Sequence, residues 1–276
     1  MRHPTPFNIK PKQSLGQNFL IDDNIAKKIV RDLHLTEDDV IVEIGPGKGA
    51  LTKHLVDRVR QLIVVEIDGR VINDLRERFA TNNISIIHQD FLDTDLTRLR
   101  DEHRGKLRIL GNIPYHLTSP ILFKVFDEIL AVKDLTMMVQ REVARRITAH
   151  PSTKEYGILS VLTRFYGTPK MLFHVPPDCF YPKPKVTSTV FQVAFFDKLP
   201  YTVDALLFKE IVKTTFGKRR KTLGKSLHYL PRDPSIIERI TKGNEAGLKR
   251  RPEELSVADF VSLTQDIEKI IACQKK

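Results

Sequence analysis

Between residues 40 and 140, short runs of β-branched and aliphatic residues alternate with stretches whose apolar positions recur every three or four residues. The runs VIVEI (Val40–Ile44), 62–67, ISIIH (Ile84–His88), 107–110 and 135–139 predict five strands, with helical segments between most of them. Strands that are apolar on both sides need cover on both faces, so the pattern predicts a parallel sheet layered between helices. Ahead of the sheet, Asp22 or Asp23 is placed to cap a helix whose Ile25, Ile29, Val30 and Leu33 share one face. Further on, 141–147 and 156–165 read as helices, and 171–175 and 186–196 as alternating strands suited to a hairpin at the sheet edge. After FFDKLPYT (195–202) every remaining segment reads as helix: 203–216, 219–230, 235–241 and 257–271. The last carries the clearest start, with Ser256 as cap, Asp259 three residues on, and Val257, Phe260, Val261, Leu263 and Ile267 along its apolar face. The predicted division is an α/β domain over 13–199 and a smaller helical domain over 200–276, preceded by an arm over 1–12 that holds three prolines and no acid.

Composition sharpens this picture. A chain of 276 residues with 41% hydrophobic and 29% charged content can bury a substantial core, which excludes disordered and collagen-like classes. A net charge of +11 points to a polyanionic partner, nucleic acid before an anionic membrane. Cys179 and Cys273 form no C-x-x-C pair, so neither a disulfide framework nor a zinc knuckle is expected, and a reducing compartment fits. The histidines show no H-E-x-x-H spacing, and no metal is expected. No apolar run suits a signal core or a membrane span, which implies a cytoplasmic protein.

Candidate chemistry clusters at predicted strand ends. In VEIGPGKG (42–49) the glycines let a strand-to-helix turn approach a ligand that a Cβ would exclude. Glu66, about 20 residues beyond Gly45, stands where an acid accepts hydrogen bonds from ribose hydroxyls. Gly45, Gly47 and Gly49 do not make G-x-G-x-x-G, so the spacing leans from a dinucleotide toward S-adenosylmethionine, which has no pyrophosphate. Asp90, in HQDF, can accept from an adenine amino group or simply cap a turn. At the fourth strand's end, Asn112 and the Ile113 carbonyl could polarise an exocyclic amine whose lone pair is delocalised, and Tyr115 offers a face for a base.

QSLGQNFL (13–20), EIGPGKGALT (43–52), VEID (65–68), NIPY (112–115), QREVARR (140–146), FYPKPKV (180–186) and FGKRRKTL (216–223) occur in the order of one family. The chain resembles the ribosomal RNA adenine dimethyltransferases, in particular the bacterial small-subunit branch of the kasugamycin-resistance type. The resemblance implies a Rossmann-like class I methyltransferase sheet with a helical C-terminal domain and S-adenosylmethionine as methyl donor. By the same resemblance Asn18, Leu20, Gly45, Glu66, Asp90 and Asn112 match cofactor-binding positions, and Asn112, Tyr115 and Phe180 the catalytic set, with Phe180 facing Tyr115 across the target base. The implied reaction is N6,N6-dimethylation of two adjacent adenosines near the 3′ end of 16S rRNA, in a pre-30S particle, by a monomer. Ile113 and His116 depart from the residues common in that branch, and NIPY is frequent in the large-subunit, macrolide-resistance enzymes; the opening segment and FGKRRKTL favour the small-subunit branch.

Phosphate contacts are expected from Lys183 and Lys185 near the target nucleotide and from Arg219, Arg220 and Lys221, within a run that also holds Lys218 and Lys225. Two rival readings are a non-catalytic assembly factor that kept the fold and a dinucleotide-dependent oxidoreductase, which has no use for residues 112–115.

Overall fold

The computed structural model describes residues 10–12, 16–243 and 247–274. The expected basic arm lies outside the described residues except for Lys10, Pro11 and Lys12, as do Gln13, Ser14 and Leu15. The elements in chain order are β1 (Phe19–Leu20), α1 (Asp23–Asp32), β2 (Val40–Ile44), α2 (Thr52–Leu55), β3 (Gln61–Glu66), α3 (Gly69–Arg78), β4 (Ile84–His88), α4 (Leu96–Glu102), β5 (Leu107–Asn112) and α5 (Thr118–Asp127). They continue as β6 (Val132–Gln140), α6 (Arg141–Thr148), α7 (Ile158–Tyr166), β7 (Gly167–Val175), β8 (Phe180–Tyr181), β9 (Ser188–Phe195), α8 (Ala205–Gly217), α9 (Leu223–Leu227), α10 (Pro234–Gly243) and α11 (Val257–Gln274).

Seven strands form one sheet in the order β4-β3-β2-β5-β6-β9-β7. From β4 to β6 the neighbours run parallel, and β9 is antiparallel to β6, with Met137 opposite Phe191. The chain winds outward in one direction from β2 through β3 to β4 and in the other from β5 to β6. The crevice at the carboxyl ends of β2 and β5 is therefore the switch point where ligands bind in open α/β sheets. Asp22 caps α1, accepting from the Asn24 and Ile25 amides at 2.9 and 3.1 Å, so the helix begins where the sequence placed it.

Opposite that crevice, at the amino end of β5, Arg108 is 6% exposed and fully engaged. Its guanidinium donates to Asp39 at 2.7 Å, Asp134 at 2.8 Å and the Leu33 carbonyl at 2.7 Å, joining the end of α1 to two strands. Burial raises the Asp134 pKa against the pull of Arg108, and Asp134 Oδ1 has no hydrogen-bond partner among the described residues.

By contacts, the chain divides into one unit of 1–144 with 169–197 and a second of 145–168 with 198–276. The expected boundary at 199/200 put 145–168 in the first domain; packing groups that segment with the C-terminal helices. Phe165 stacks on Phe208 with centroids 3.9 Å apart, and Phe260 meets Phe208 edge-on. The Tyr156 hydroxyl, fully buried, donates to the Leu255 carbonyl at 2.9 Å, and burial pushes its pKa up to about 12. At α11 the Ser256 and Asp259 side chains and amides exchange hydrogen bonds, the reciprocal cap read from sequence. The helix predicted over 219–230 shrinks to α9. Gly217 ends α8, and the cations that follow occupy a turn closed by the Lys221 amide on the Lys218 carbonyl at 2.8 Å.

Candidate active site

A cavity of about 230 Å³ opens at the switch point. Its floor is the turn after β2, where Gly45, Gly47 and Gly49 take φ of +60°, +54° and +70°. At Gly47 both reasons for glycine coincide: the backbone is left-handed, and a Cβ would lie 2.7 Å from the Phe19 ring. The Gly45 amide donates to the Val65 carbonyl at 2.9 Å, which fixes the turn against β3.

Two buried carboxylates face this space. Glu66, 5% exposed at the end of β3, accepts the Ile67 and Asp68 amides on Oε1 at 2.9 and 2.8 Å and lines the cavity. Glu43, 1% exposed, accepts the Thr52 hydroxyl at 2.8 Å. Desolvation pushes Glu43 up to about 7, with the Glu66 charge adding to the effect, and desolvation raises Glu66 as well. Among the described residues neither forms a salt bridge. Such a cavity suits a ligand that brings hydroxyl donors and positive charge, and it disfavours a pyrophosphate. Sequence reasoning passed over Glu43; the signal was an acid inside an otherwise apolar strand.

Asp90, after β4, lines the same cavity with Phe91. Its Oδ1 caps the following turn through the Leu92 amide at 2.9 Å, so one residue both caps the turn and lines the cavity.

Beside the glycine turn, the cavity wall continues through β5 and the strap of residues 17–20. Asn112 Nδ2 donates to the Asn18 carbonyl at 3.1 Å. A carbonyl can only accept, so this contact fixes which way the amide faces and leaves Oδ1 as the acceptor of a residue lining the cavity. The strap is held at several points. Its Phe19 and Leu20 pair with Tyr181 and Phe180, and Gln17 Nε2 donates to Asp68 Oδ2 at 3.3 Å. Asp68 is 3% exposed, and the Arg70 guanidinium at 2.6 Å holds its carboxyl well below the usual range, to about 2. Nothing in the sequence linked positions 17 and 68, since the pairing exists only in three dimensions.

Asn18, Leu20, Gly45, Glu66, Asp90 and Asn112 thus all line one cavity. Tyr115 and Phe180 do not. Tyr115 sits half-buried in the turn after Pro114, its hydroxyl 2.8 Å from Ser188 Oγ, and burial raises its pKa. Phe180 is 4% exposed in the core beside Leu20, because strand alternation turns it inward and Tyr181 outward; among the described residues no ring contact joins it to Tyr115. Lys183 pairs with Asp178, while Lys185 is exposed and pairs with no acid among the described residues. In the second unit Arg219 is bound to Glu253 and the Thr153 carbonyl, so it staples the 145–168 segment, whereas Arg220 and Lys221 are exposed. Lys218 and Lys221 both lie over the Tyr229 ring, 4.4 and 4.6 Å from its centroid.

Sheet order, the antiparallel β9 and the switch-point cavity define a Rossmann-like fold of the methyltransferase type. Residues 8–263 match the family model described as ribosomal RNA adenine dimethylase. The chain is 39% identical over 269 residues to ribosomal RNA small subunit methyltransferase A of Alkaliphilus oremlandii, covering 95% of this chain and 94% of that protein. It is 42% identical over 267 residues to the protein of the same name from Syntrophus aciditrophicus, covering 94% and 95%. This chain belongs to the ribosomal RNA adenine dimethylase family. Among solved structures, a dimethyladenosine transferase from Plasmodium falciparum superposes with a TM-score of 0.80 at 22% identity, covering 91% of this chain and 98% of that one. The 23S rRNA methyltransferase ErmE superposes at 0.66 with 25% identity, covering 91% and 100%. Among the described residues no group of histidine, cysteine and acid side chains is placed to hold a metal, and no helix is long and apolar enough to cross a membrane.

Proposed function

We propose that this protein transfers methyl groups to N6 of two adjacent adenosines near the 3′ end of 16S rRNA, within an assembling small subunit, using S-adenosylmethionine. The observation that carries the reading is Asn112, whose amide is turned by the Asn18 carbonyl so that Oδ1 is the acceptor at the cavity wall. Relatives at 39–42% identity, named as small-subunit enzymes, favour that subunit over the large-subunit alternative raised by Ile113.

The donor supplies an electrophilic methyl group on a cationic sulfur. Glu66 would accept from its ribose hydroxyls and Asp90 from its adenine amine, and the buried Glu43 and Glu66 would favour its positive charge over an anionic rival. Asn18 and Leu20 of the strap and Gly45 of the turn would hold it as lining residues of the same cavity. Asn112 Oδ1 and the Ile113 carbonyl accept the two hydrogens of the target amine, favouring the pyramidal, charge-bearing nitrogen of the transition state. No strong base is needed, because the amine becomes acidic only after it has attacked, and positioning accounts for much of the acceleration. Tyr115 presents its ring to the target adenine; Phe180 contributes through β8, whose pairing with the strap it anchors. Lys183, Lys185, Arg220 and Lys221 meet phosphates, and Arg219 holds the turn that presents its neighbours.

The test is nucleoside mass spectrometry of small subunits lacking the modification after incubation with the protein and S-adenosylmethionine, with large-subunit rRNA in parallel. Dimethyladenosine in the small-subunit sample alone is the expected result. Product in large-subunit RNA alone moves the assignment to the other subunit, and product in neither leaves a binding role in assembly.

A further inference from the structure

Tyr181 is the outward-facing residue of a two-residue strand whose other member, Phe180, is buried. Its ring is 56% exposed, yet its backbone is anchored: Tyr181 pairs with Phe19, Phe180 with Leu20, and the Ile21 amide donates to the Cys179 carbonyl at 2.9 Å. An aromatic ring on fixed backbone that stays more than half exposed leaves much of its apolar surface unburied by this fold. Its position is informative. Across the strand pair stands Phe19, which lines the cavity, and next to Phe19 is Asn18, whose carbonyl holds the Asn112 amide. Tyr181 itself does not line the cavity. The Lys48 ammonium, from the glycine turn, lies over both rings, 5.4 Å from the Phe19 centroid and 5.8 Å from that of Tyr181.

We infer that Tyr181 and Lys48 form a subsite for the nucleotide adjoining the one being methylated, its base stacked on the phenol ring and its phosphate near the ammonium. The inference rests on the function proposed above. The occupant follows from the chemistry at the rim: an exposed ring with a cation beside it, followed in the chain by Lys183 and the exposed Lys185, in a molecule of net charge +11. Aromatic rings combined with cations are how proteins hold single-stranded nucleic acid without reading its sequence. Stacking uses the face of a base and ignores its amino edge. The same ring therefore accepts the neighbouring adenosine before and after that neighbour has been dimethylated, which an edge-reading contact would not.

The sequence contains no tryptophan, so Y181W creates a single reporter at this place. Y181W fluorescence is expected to be quenched by an RNA oligonucleotide spanning the two adenosines, with binding followed independently through a label on the RNA, and left unchanged by S-adenosylhomocysteine. In turnover with unmodified small subunits, Y181A is expected to lower kcat/KM for the subunit about tenfold, equivalent to about 1.4 kcal/mol, with S-adenosylmethionine affinity and melting temperature as in the parent, and Y181F is expected to recover most of the loss. Bound RNA without quenching, an unimpaired Y181A, a Y181F as poor as Y181A, or an equal loss of cofactor affinity in Y181A each overturns the subsite. A parent protein that methylates no RNA overturns the function proposed above instead, a result separable from all of these.

Discussion

At the scale of single residues, the cavity is defined by what its polar atoms have left to offer. Asn112 commits one amide N–H to the strap and keeps its oxygen as an acceptor. Asn112→Ala is therefore expected to lower transfer by at least a hundredfold while leaving cofactor affinity within a few-fold and the melting curve unchanged; calorimetry alongside turnover measures both. Glu43 carries a different consequence. Its pKa rises from 4.5 unfolded to about 7 folded, so the protonated form favours the fold, and stability falls as pH rises through that window. Glu43→Gln, which keeps an acceptor for Thr52, should melt with the parent near pH 4 and pull ahead by on the order of 5 °C above pH 7. A gap that stays constant with pH would mean that Glu43 does not titrate there.

At the scale of elements, the strap and the glycine turn act as one piece. Gly47→Ala forces a Cβ toward the Phe19 ring in a left-handed backbone, so the expected result is a loss of about tenfold or more in S-adenosylmethionine affinity by calorimetry, with the circular dichroism of the sheet retained. The strands of the sheet were legible because each is a run of apolar residues bounded by polar or turn-forming ones, and Val40–Ile44 and Ile84–His88 fall where the pattern put them. The pairing of β1 with β8 was not legible: two residues carry no periodicity, and their partners lie some 160 positions away. The helix expected over 219–230 failed for a local reason, since adjacent like charges after a glycine favour a turn over another helical turn. Of the candidate residues, those at strand ends line one cavity, because a switch point brings the carboxyl ends of the strands together. Phe180 was placed in the target site by resemblance alone, and strand alternation decides its side chain.

At the scale of the whole molecule, the charge excess divides into cations that hold the fold and cations that face water. Arg219→Ala breaks its contact with Glu253 and should lower the melting temperature of the helical unit by a few degrees. Arg220→Ala with Lys221→Ala should cost less stability than Arg219→Ala, since only the exposed contact of Lys221 with Tyr229 is lost, while weakening subunit binding and flattening the dependence of log affinity on log salt by roughly 1 to 2, with cofactor binding unchanged. Titrations at several salt concentrations separate the two cases. The division of the chain also matters here, because residues 145–168 are enclosed in sequence by strands of one unit and packed with helices of the other. In a chain made from its amino terminus, Tyr156 and Phe165 leave the synthesis machinery before Phe208, Phe216 and Leu255, the residues that bury them. The strands β7 and β9, which complete the sheet, also come later. The second unit cannot be finished until after the first, and a chain ending near residue 199 holds a complete sheet together with two uncovered aromatic side chains, an invitation to chaperone capture or proteolysis.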